Sequence, residues 1–238
     1  MNRFQNKRAL VTGASSGIGR AIAQALTAEG ARIHAVARSW PKPDSNTVNG
    51  WQLHNADFTA EADVKRLAAE VSASAVPLDL LIHCAGALEM GTVADFPVAQ
   101  LDAMYQVNVR APFLLTQLLL PMMLSDLTQS KGQIVFINSS AAVAPNMALA
   151  GYSSTKSAIK LVADCLRMEV NTSGIRVMSV YPGKTASAMQ QRTHELAGKP
   201  YDAASLMQPE DVAHMVLSAL ALPKTAEMTD LHIRPMKK

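Results

Sequence analysis

Hydrophobic positions along this chain of 238 residues alternate between two rhythms. Short apolar runs are separated by longer stretches in which apolar residues recur every three or four positions. The runs are Arg8 to Thr12, Arg32 to Ala37, Gln52 to Ala56, Leu78 to Cys84, Gln133 to Asn138, Ile175 to Tyr181 and Asp230 to Arg234. The first six stop at glycine, proline or polar residues, as buried parallel strands do. The periodic stretches carry Ile18, Ile22 and Leu26, then Val64, Leu67, Ala68 and Val71, then Ile159, Val162, Leu166 and Val170, then Val212, Met215, Val216 and Leu220. Each set lies on one face of a helix. A further helix is predicted from about Val98 to Leu124. Seven strands alternating with helices, without repeat or linker, predict one α/β domain over residues 1–238. Its core is a doubly wound, seven-stranded parallel sheet with helices on both faces.

Three stretches depart from the simple alternation. Trp40 to Gly50 holds two prolines, a glycine and polar residues, and is expected to be a loop. The Val98 to Leu124 helix contains Asn108 and then Pro112, which removes one backbone bond and bends the axis. Asn108, one turn earlier, either satisfies freed backbone groups or holds a water. The polar run from Lys184 to about Gln208 is expected to be flexible, with residues 186–207 forming a lid over the substrate.

Composition narrows the class of function. Hydrophobic residues make up 49% of the chain, ample for one buried core, and the net charge is only +3. Scattered charges of that size imply neither a nucleic-acid nor a membrane partner. The apolar stretch from Ala111 to Leu124 is shorter than the ~20 residues a membrane helix needs and is interrupted by Gln117 and Pro121. It is expected to be a core helix. Cys84 and Cys165 have no metal or redox spacing, and the six histidines are dispersed. With no apolar signal segment at the start, a soluble cytoplasmic protein without a catalytic metal is expected.

Chemistry enters at the strand ends. After the first strand comes Thr12-Gly13-Ala14-Ser15-Ser16-Gly17-Ile18-Gly19, opening a helix. Strand, glycine-rich turn and helix present backbone N–H groups and a positive helix end to a phosphate. Gly13 allows the tight turn, Gly17 close approach of a pyrophosphate, and Gly19 close helix packing. This is the Rossmann arrangement for dinucleotides. Where an NAD-binding unit places a carboxylate against the ribose, this chain has Arg38-Ser39. A guanidinium matches a 2′-phosphate, so NADP(H) is preferred over NAD(H). Asp57 either caps its region or bonds the adenine amino group. Gly13, Arg38, Asp57, Ala85, Ser139 and Pro182-Gly183 all fall at the carboxyl ends of strands, the rim where such sheets bind ligands.

On the helix after the fifth strand, Tyr152 and Lys156 stand one turn apart on one face. A free tyrosine ionises near ~10, and a nearby cation lowers that value, which brings a phenol toward general acid–base work at neutral pH.

With these landmarks, the chain resembles the short-chain dehydrogenase/reductase family in its common single-domain form. The resemblance rests on Thr12 to Gly19, on His83-Cys84-Ala85-Gly86 at the fourth strand, on Asn108, on Tyr152 to Lys156 and on Pro182-Gly183. The family's catalytic serine lies thirteen residues before the tyrosine, which selects Ser139 over Ser140. The resemblance implies a hydride transfer between NADP(H) and a carbonyl or alcohol of a small substrate. Tyr152 would be the acid or base, Ser139 would bond the substrate oxygen, and Lys156 would lower the tyrosine pKa and hold the nicotinamide ribose. Asn108 would support a proton-relaying water, and Thr185 or the Pro182-Gly183 backbone would orient the nicotinamide amide. Cofactor contacts would come from Gly13, Ser15, Ser16, Gly17, Ile18, Arg38, Ser39, Asp57, Phe58, Ala85, Gly86, Asn108, Tyr152, Lys156, Pro182, Gly183 and Thr185.

Three departures from the family stand out. His83-Cys84 replaces two asparagines, the Trp40 to Gly50 loop replaces a helix, and Thr229 to Lys238 lacks a glycine-rich terminus. The last leaves a homodimer beside the homotetramer usual in the family. Met147, Met189, Leu196 and Met207 are either an apolar pocket wall or core. The competing functions are a non-catalytic NADP(H)-binding redox sensor, which would be expected to lose the tyrosine or serine, and an epimerase or dehydratase, which usually has a longer C-terminal region.

Overall fold

Alternation of buried side chains along each strand builds a three-layered domain. The computed structural model describes residues 2–40, 50–74, 76–124, 132–144 and 146–236. The strands are β1 (Arg8–Thr12), β2 (Arg32–Ala37), β3 (Gln52–Asn55), β4 (Leu80–His83), β5 (Gln133–Ile137), β6 (Arg176–Pro182) and β7 (Asp230–Ile233). They form one seven-stranded sheet in the order β3-β2-β1-β4-β5-β6-β7, and every pairing is parallel. The chain runs outward from β1 to β3, returns to place β4 beside β1, and continues to β7. The reversal between β1 and β4 opens a crevice at the strand ends, where open α/β sheets bind ligands.

Val11, Ile33, Ala35 and Val180 face a core closed by α1 (Gly17–Ala28) and α7 (Pro209–Leu220). Leu10, Val36, Ile134 and Val177 face the opposite core. That side is covered by α2 (Glu61–Ser72), by α4 (Ala111–Leu124) and by α5 (Ala150–Val170). Most of the predicted inner-face residues are inside: Ile22, Leu26, Val64, Leu67, Val71, Ile159 and Val216 are at most 3% exposed, while Ile18, Val162 and Met215 are half-buried at the edges of the cores.

The long helix differs from its sequence reading. It begins as α3 (Val98–Tyr105), passes through a π-helical turn at Gln106–Arg110, and continues as α4. Ala111 N donates to Gln106 O, five residues back. Pro112 has no N–H for the carbonyl of Asn108, and the wider turn is the local answer to that missing donor. Pro121 does not end the helix, which continues through it to Leu124, although its missing N–H leaves the Gln117 carbonyl without its usual donor. Taken together these segments make 27 continuous residues, long and apolar enough by length and composition to cross a membrane. Here Ala111, Leu115, Leu119 and Met123 are buried against the sheet core.

The polar segment after β6 also contains more structure than its composition predicts. Ser187 caps a helix, α6 (Ala188–Leu196), its hydroxyl accepting Gln190 N at 3.1 Å. No glycine or proline interrupts residues 188–196, so a capped helix forms. Thr185 pairs with Met207 in a short parallel bridge, which ties the two ends of the segment together. Gly50 is described, whereas residues 41–49 of the expected loop lie outside the described residues.

A buried polar chain crosses the outer strands on the α2 side. Arg8 Nε donates to His34 Nε2 at 2.9 Å, His34 Nδ1 meets His54 Nε2 at 3.0 Å, and His54 Nδ1 meets Glu70 at 2.8 Å. An arginine only donates, so His34 must accept through Nε2 and carry its proton on Nδ1. His54 then accepts through Nε2 and donates from Nδ1 to the carboxylate. Every proton in the chain is thereby assigned, and both histidines are neutral.

Candidate active site

The β1–α1 turn is shaped by glycine where nothing larger fits. Gly13 has φ +68°, and a Cβ there would stand 2.9 Å from Ala85 N. Gly17 has φ +54°. A Cβ on Gly19 would collide with the Gly13 carbonyl, so this glycine serves the turn itself. Thr12 Oγ1 accepts Cys84 N at 2.9 Å and Ala85 N at 3.0 Å, joining the turn to the end of β4. The N-cap Ser16 makes no side-chain cap bond, and no acid stands in the first turn of α1. The helix end is left as a positive, glycine-lined cradle that fits a phosphate.

This cradle forms part of a cavity of about 640 Å³ along the strand ends. Gly13, Ser15, Ser16, Gly17, Ile18, Arg38, Ser39, Asp57, Phe58, Ala85, Gly86, Ser139, Tyr152, Lys156, Pro182, Gly183 and Thr185 all line it. Residues predicted from seven separate stretches thus meet around one space. Arg38 is exposed just beyond β2 and has no side-chain partner among the described residues. Asp57 Oδ1 accepts both Thr59 N and Thr59 Oγ1, so one oxygen holds the turn before α2. Thr185 is buried and donates back to Gly183 O at 3.1 Å, which engages its hydroxyl hydrogen within the chain.

At the other end, Tyr152 and Lys156 are 6% and 5% exposed on α5. Lys156 Nζ donates to Ile137 O at 3.1 Å and lies 5.8 Å from the centre of the Tyr152 ring. Ser139 Oγ accepts Ala141 N at 3.1 Å, and the Ser139 hydroxyl acts on the Tyr152 phenol, favouring its ionised form. Burial pushes the Tyr152 phenol up to about 12, with Ser139 pulling against it and Cys84 adding to the rise. Burial pulls the Lys156 ammonium down to about 8, against Cys84. Burial, the largest influence on both groups, works against the lowering of Tyr152 expected from Lys156.

Asn108 stands behind the cavity wall rather than in it. Its Nδ2 donates to Ala87 O at 2.8 Å and Thr155 Oγ1 at 3.0 Å, and its Oδ1 accepts Ala87 N at 2.8 Å. Thr155 in turn donates to Tyr152 O at 2.8 Å. The Asn108 side-chain bonds go to Ala87 and Thr155 rather than to the helix groups freed by Pro112.

Helix α6 borders this end. Met189, Gln190 and Thr193 line the cavity, and Arg192 holds both oxygens of Glu89 at 2.9 and 3.1 Å. Met189 Cε lies 4.0 Å from where a Cβ on Gly86 would stand. Of the four residues proposed for an apolar wall, Met189 alone borders the cavity. Met207 is buried in the α1–α7 core, while Met147 and Leu196 are 96% and 51% exposed.

Thr12, Asn138 and Ser187 hold the site together without having been singled out as site residues. Ser187 is a residue type favoured at helix caps, but the polar stretch around it hid the helix; Thr12 and the Asn138 contact with Lys156 join residues distant in sequence, which no local pattern reveals.

A family profile described as short chain dehydrogenase matches residues 7–197. An uncharacterized short-chain type dehydrogenase/reductase of Sinorhizobium fredii is 32% identical over 244 residues, covering 99% of this chain and 93% of the relative. An uncharacterized oxidoreductase of Staphylococcus aureus is 30% identical over 240 residues, covering 99% and 100%. Among solved structures, a short chain dehydrogenase/reductase family protein superposes with TM-score 0.82 at 28% identity over 97% of both chains. A metagenomic short-chain oxidoreductase in complex with NADP superposes with TM-score 0.79 at 25% identity over 99% and 100%.

Proposed function

Since the chain belongs to the short-chain dehydrogenase/reductase family and is an oxidoreductase of that kind, we propose that it reduces a carbonyl of a small substrate with NADPH, or runs the reverse oxidation. The observation that carries this reading is the convergence of Ser139, Tyr152 and Lys156 on one end of the cavity whose other end is the phosphate cradle. The glycine turn and the uncapped start of α1 fit a pyrophosphate. Arg38, which has no side-chain partner among the described residues and is followed by Ser39 where a carboxylate would stand for NAD, fits a 2′-phosphate. The NADP complex of the metagenomic relative is consistent with that choice.

When bound, the nicotinamide supplies the hydride for the carbonyl carbon. Ser139 donates its hydroxyl proton as a hydrogen bond to the carbonyl oxygen, where negative charge grows. Tyr152, held protonated far above neutral pH by burial, gives its proton to that oxygen. Lys156, still largely charged at pH 7, steadies the phenolate left behind and holds the ribose hydroxyls. Thr155 and Asn108 brace the backbone of Tyr152, while the backbone of Gly183 and Thr185 borders the nicotinamide amide. Residues 186–207 act as the substrate lid, closed here by the Arg192–Glu89 pair.

The reading includes a homodimer or homotetramer in the cytoplasm. Exposed Phe113 and Leu118 on α4 and Leu161 and Met168 on α5 offer apolar contact, and unpaired Cys84 and Cys165 suit a reducing compartment. The test is NADPH oxidation against a panel of aldehydes, ketones and quinones. Turnover of none of them by chain that binds NADPH would favour a cofactor sensor instead.

A further inference from the structure

Two chain segments meet where the proposed chemistry happens: the end of β5, which carries Ser139, and the first turns of α5, which carry Tyr152 and Lys156. One side chain spans them. Asn138 is 5% exposed, and its backbone N–H extends the sheet ladder by donating to Val180 O at 2.7 Å. Its Oδ1 accepts the Ser139 N–H at 2.9 Å, and its Nδ2 donates to the Lys156 carbonyl at 3.1 Å. In the opposite sense, Lys156 Nζ donates to Ile137 O, so residues 137–138 and residue 156 are clamped by reciprocal bonds.

The orientation of the carboxamide follows from these partners. Rotated by half a turn, it would set its oxygen against the Lys156 carbonyl and its NH2 against the Ser139 N–H. Only one arrangement satisfies both contacts, and a buried amide that lost them would leave unpaired polar groups. We propose that Asn138 is a positioning residue, fixing the separation between the Ser139 hydroxyl and the Tyr152–Lys156 face of α5. Its polar atoms are engaged with the chain, so it acts through its neighbours rather than on substrate. This inference rests on the proposed carbonyl chemistry.

Asn138→Asp is the sharpest probe. It keeps the shape and the acceptor for Ser139 but places a carboxylate oxygen against the Lys156 carbonyl. The ionisable groups around it are Tyr152 and Lys156 on α5 and Cys84 after β4. The expected result is a fall in kcat of roughly tenfold to a hundredfold, the scale of a small misplacement. The NADPH dissociation constant, read by cofactor fluorescence, stays within about twofold. The added negative charge also moves the Tyr152 ionisation upward in a tyrosinate absorbance titration, referenced to the Tyr152→Phe chain. Asn138→Ser, which reaches neither Lys156 nor the full span, repeats the kinetic test if the aspartate unfolds the protein.

Unchanged kcat, or a loss of kcat matched by an equal loss of NADPH affinity, would overturn the proposal. A parent chain that turns over no carbonyl counts against the chemistry and not against Asn138. The absorbance titration needs no substrate, and an identical Tyr152 ionisation in parent and Asn138→Asp would then overturn the positioning role.

Discussion

Lys156 Nζ donates to the carbonyl of Ile137 at 3.1 Å, in a pocket where its own ammonium is pulled down to about 8 by burial. The lysine is thereby held by the strand that presents Ser139, and its charge is only weakly secured at neutral pH. Tyr152, pushed up to about 12, is a proton donor at rest.

The first prediction concerns that donor. Tyr152→Phe should lower carbonyl reduction by roughly a hundredfold or more, the share of general acid catalysis. NADPH binding should persist, because the phosphate cradle lies at β1. Comparable turnover in a steady-state assay would remove Tyr152 from the mechanism.

Cofactor choice is predicted to sit at Arg38. Arg38→Asp should weaken NADPH relative to NADH by about 1 kcal/mol or more, the scale of a charge-assisted hydrogen bond. Because Arg38 is exposed beyond β2, its replacement should leave the folded structure intact. Titration of both cofactors against both chains decides the matter, and an unchanged ratio would assign specificity elsewhere.

The histidine chain predicts acid sensitivity. Burial pulls His34 down to about 4, with Arg8 and then His54 adding to it, and burial pulls His83 down to about 3, against an ordinary value of 6.5. The unfolded chain takes up protons as pH falls below 6.5, while the folded chain resists until about 4. The unfolded state then binds more protons, so stability present above 6.5 is lost as pH falls toward 4. Each unit of difference is worth about 1.4 kcal/mol. Urea unfolding between those limits should show the decline. It should be shallower in His34→Gln, whose amide can accept from Arg8 and donate to His54. Parallel declines would assign the effect to other groups.

The lid is predicted to open as a unit. With its ends pinned at Thr185 and Met207, residues 186–207 should exchange amide hydrogens faster in the free protein than with cofactor and substrate bound. Arg192→Ala, which releases Glu89, should speed exchange in α6 without changing that of α1. Equal protection of the lid in free and ternary states would count against it.

Much of this was legible in the order of residues. Strand ends announce themselves at Gly13, Gly86 and Pro182-Gly183, because a parallel sheet must turn there, and those turns line the cavity. The i,i+4 spacing of Tyr152 and Lys156 fixed their common face. Burial was not legible, and burial decides the ionisation of both. The clamp by Asn138 joins residue 156 across the sheet–helix boundary, and the chain from Arg8 to Glu70 needs four elements assembled before any proton can be assigned. The capped α6 was hidden for a simpler reason, since a polar composition masked a good N-cap.

The sheet order has one further consequence. β3, β2 and β1 are followed by Asp57, Arg38 and the phosphate turn, whereas Ser139 follows β5 and Tyr152 stands on α5, with β4 as the seam. The residues proposed to choose the nucleotide and those proposed to act on the substrate are therefore inherited as two contiguous halves of one gene. Recombination near the seam would trade one set while preserving the other, so cofactor preference and substrate range are free to evolve on separate schedules.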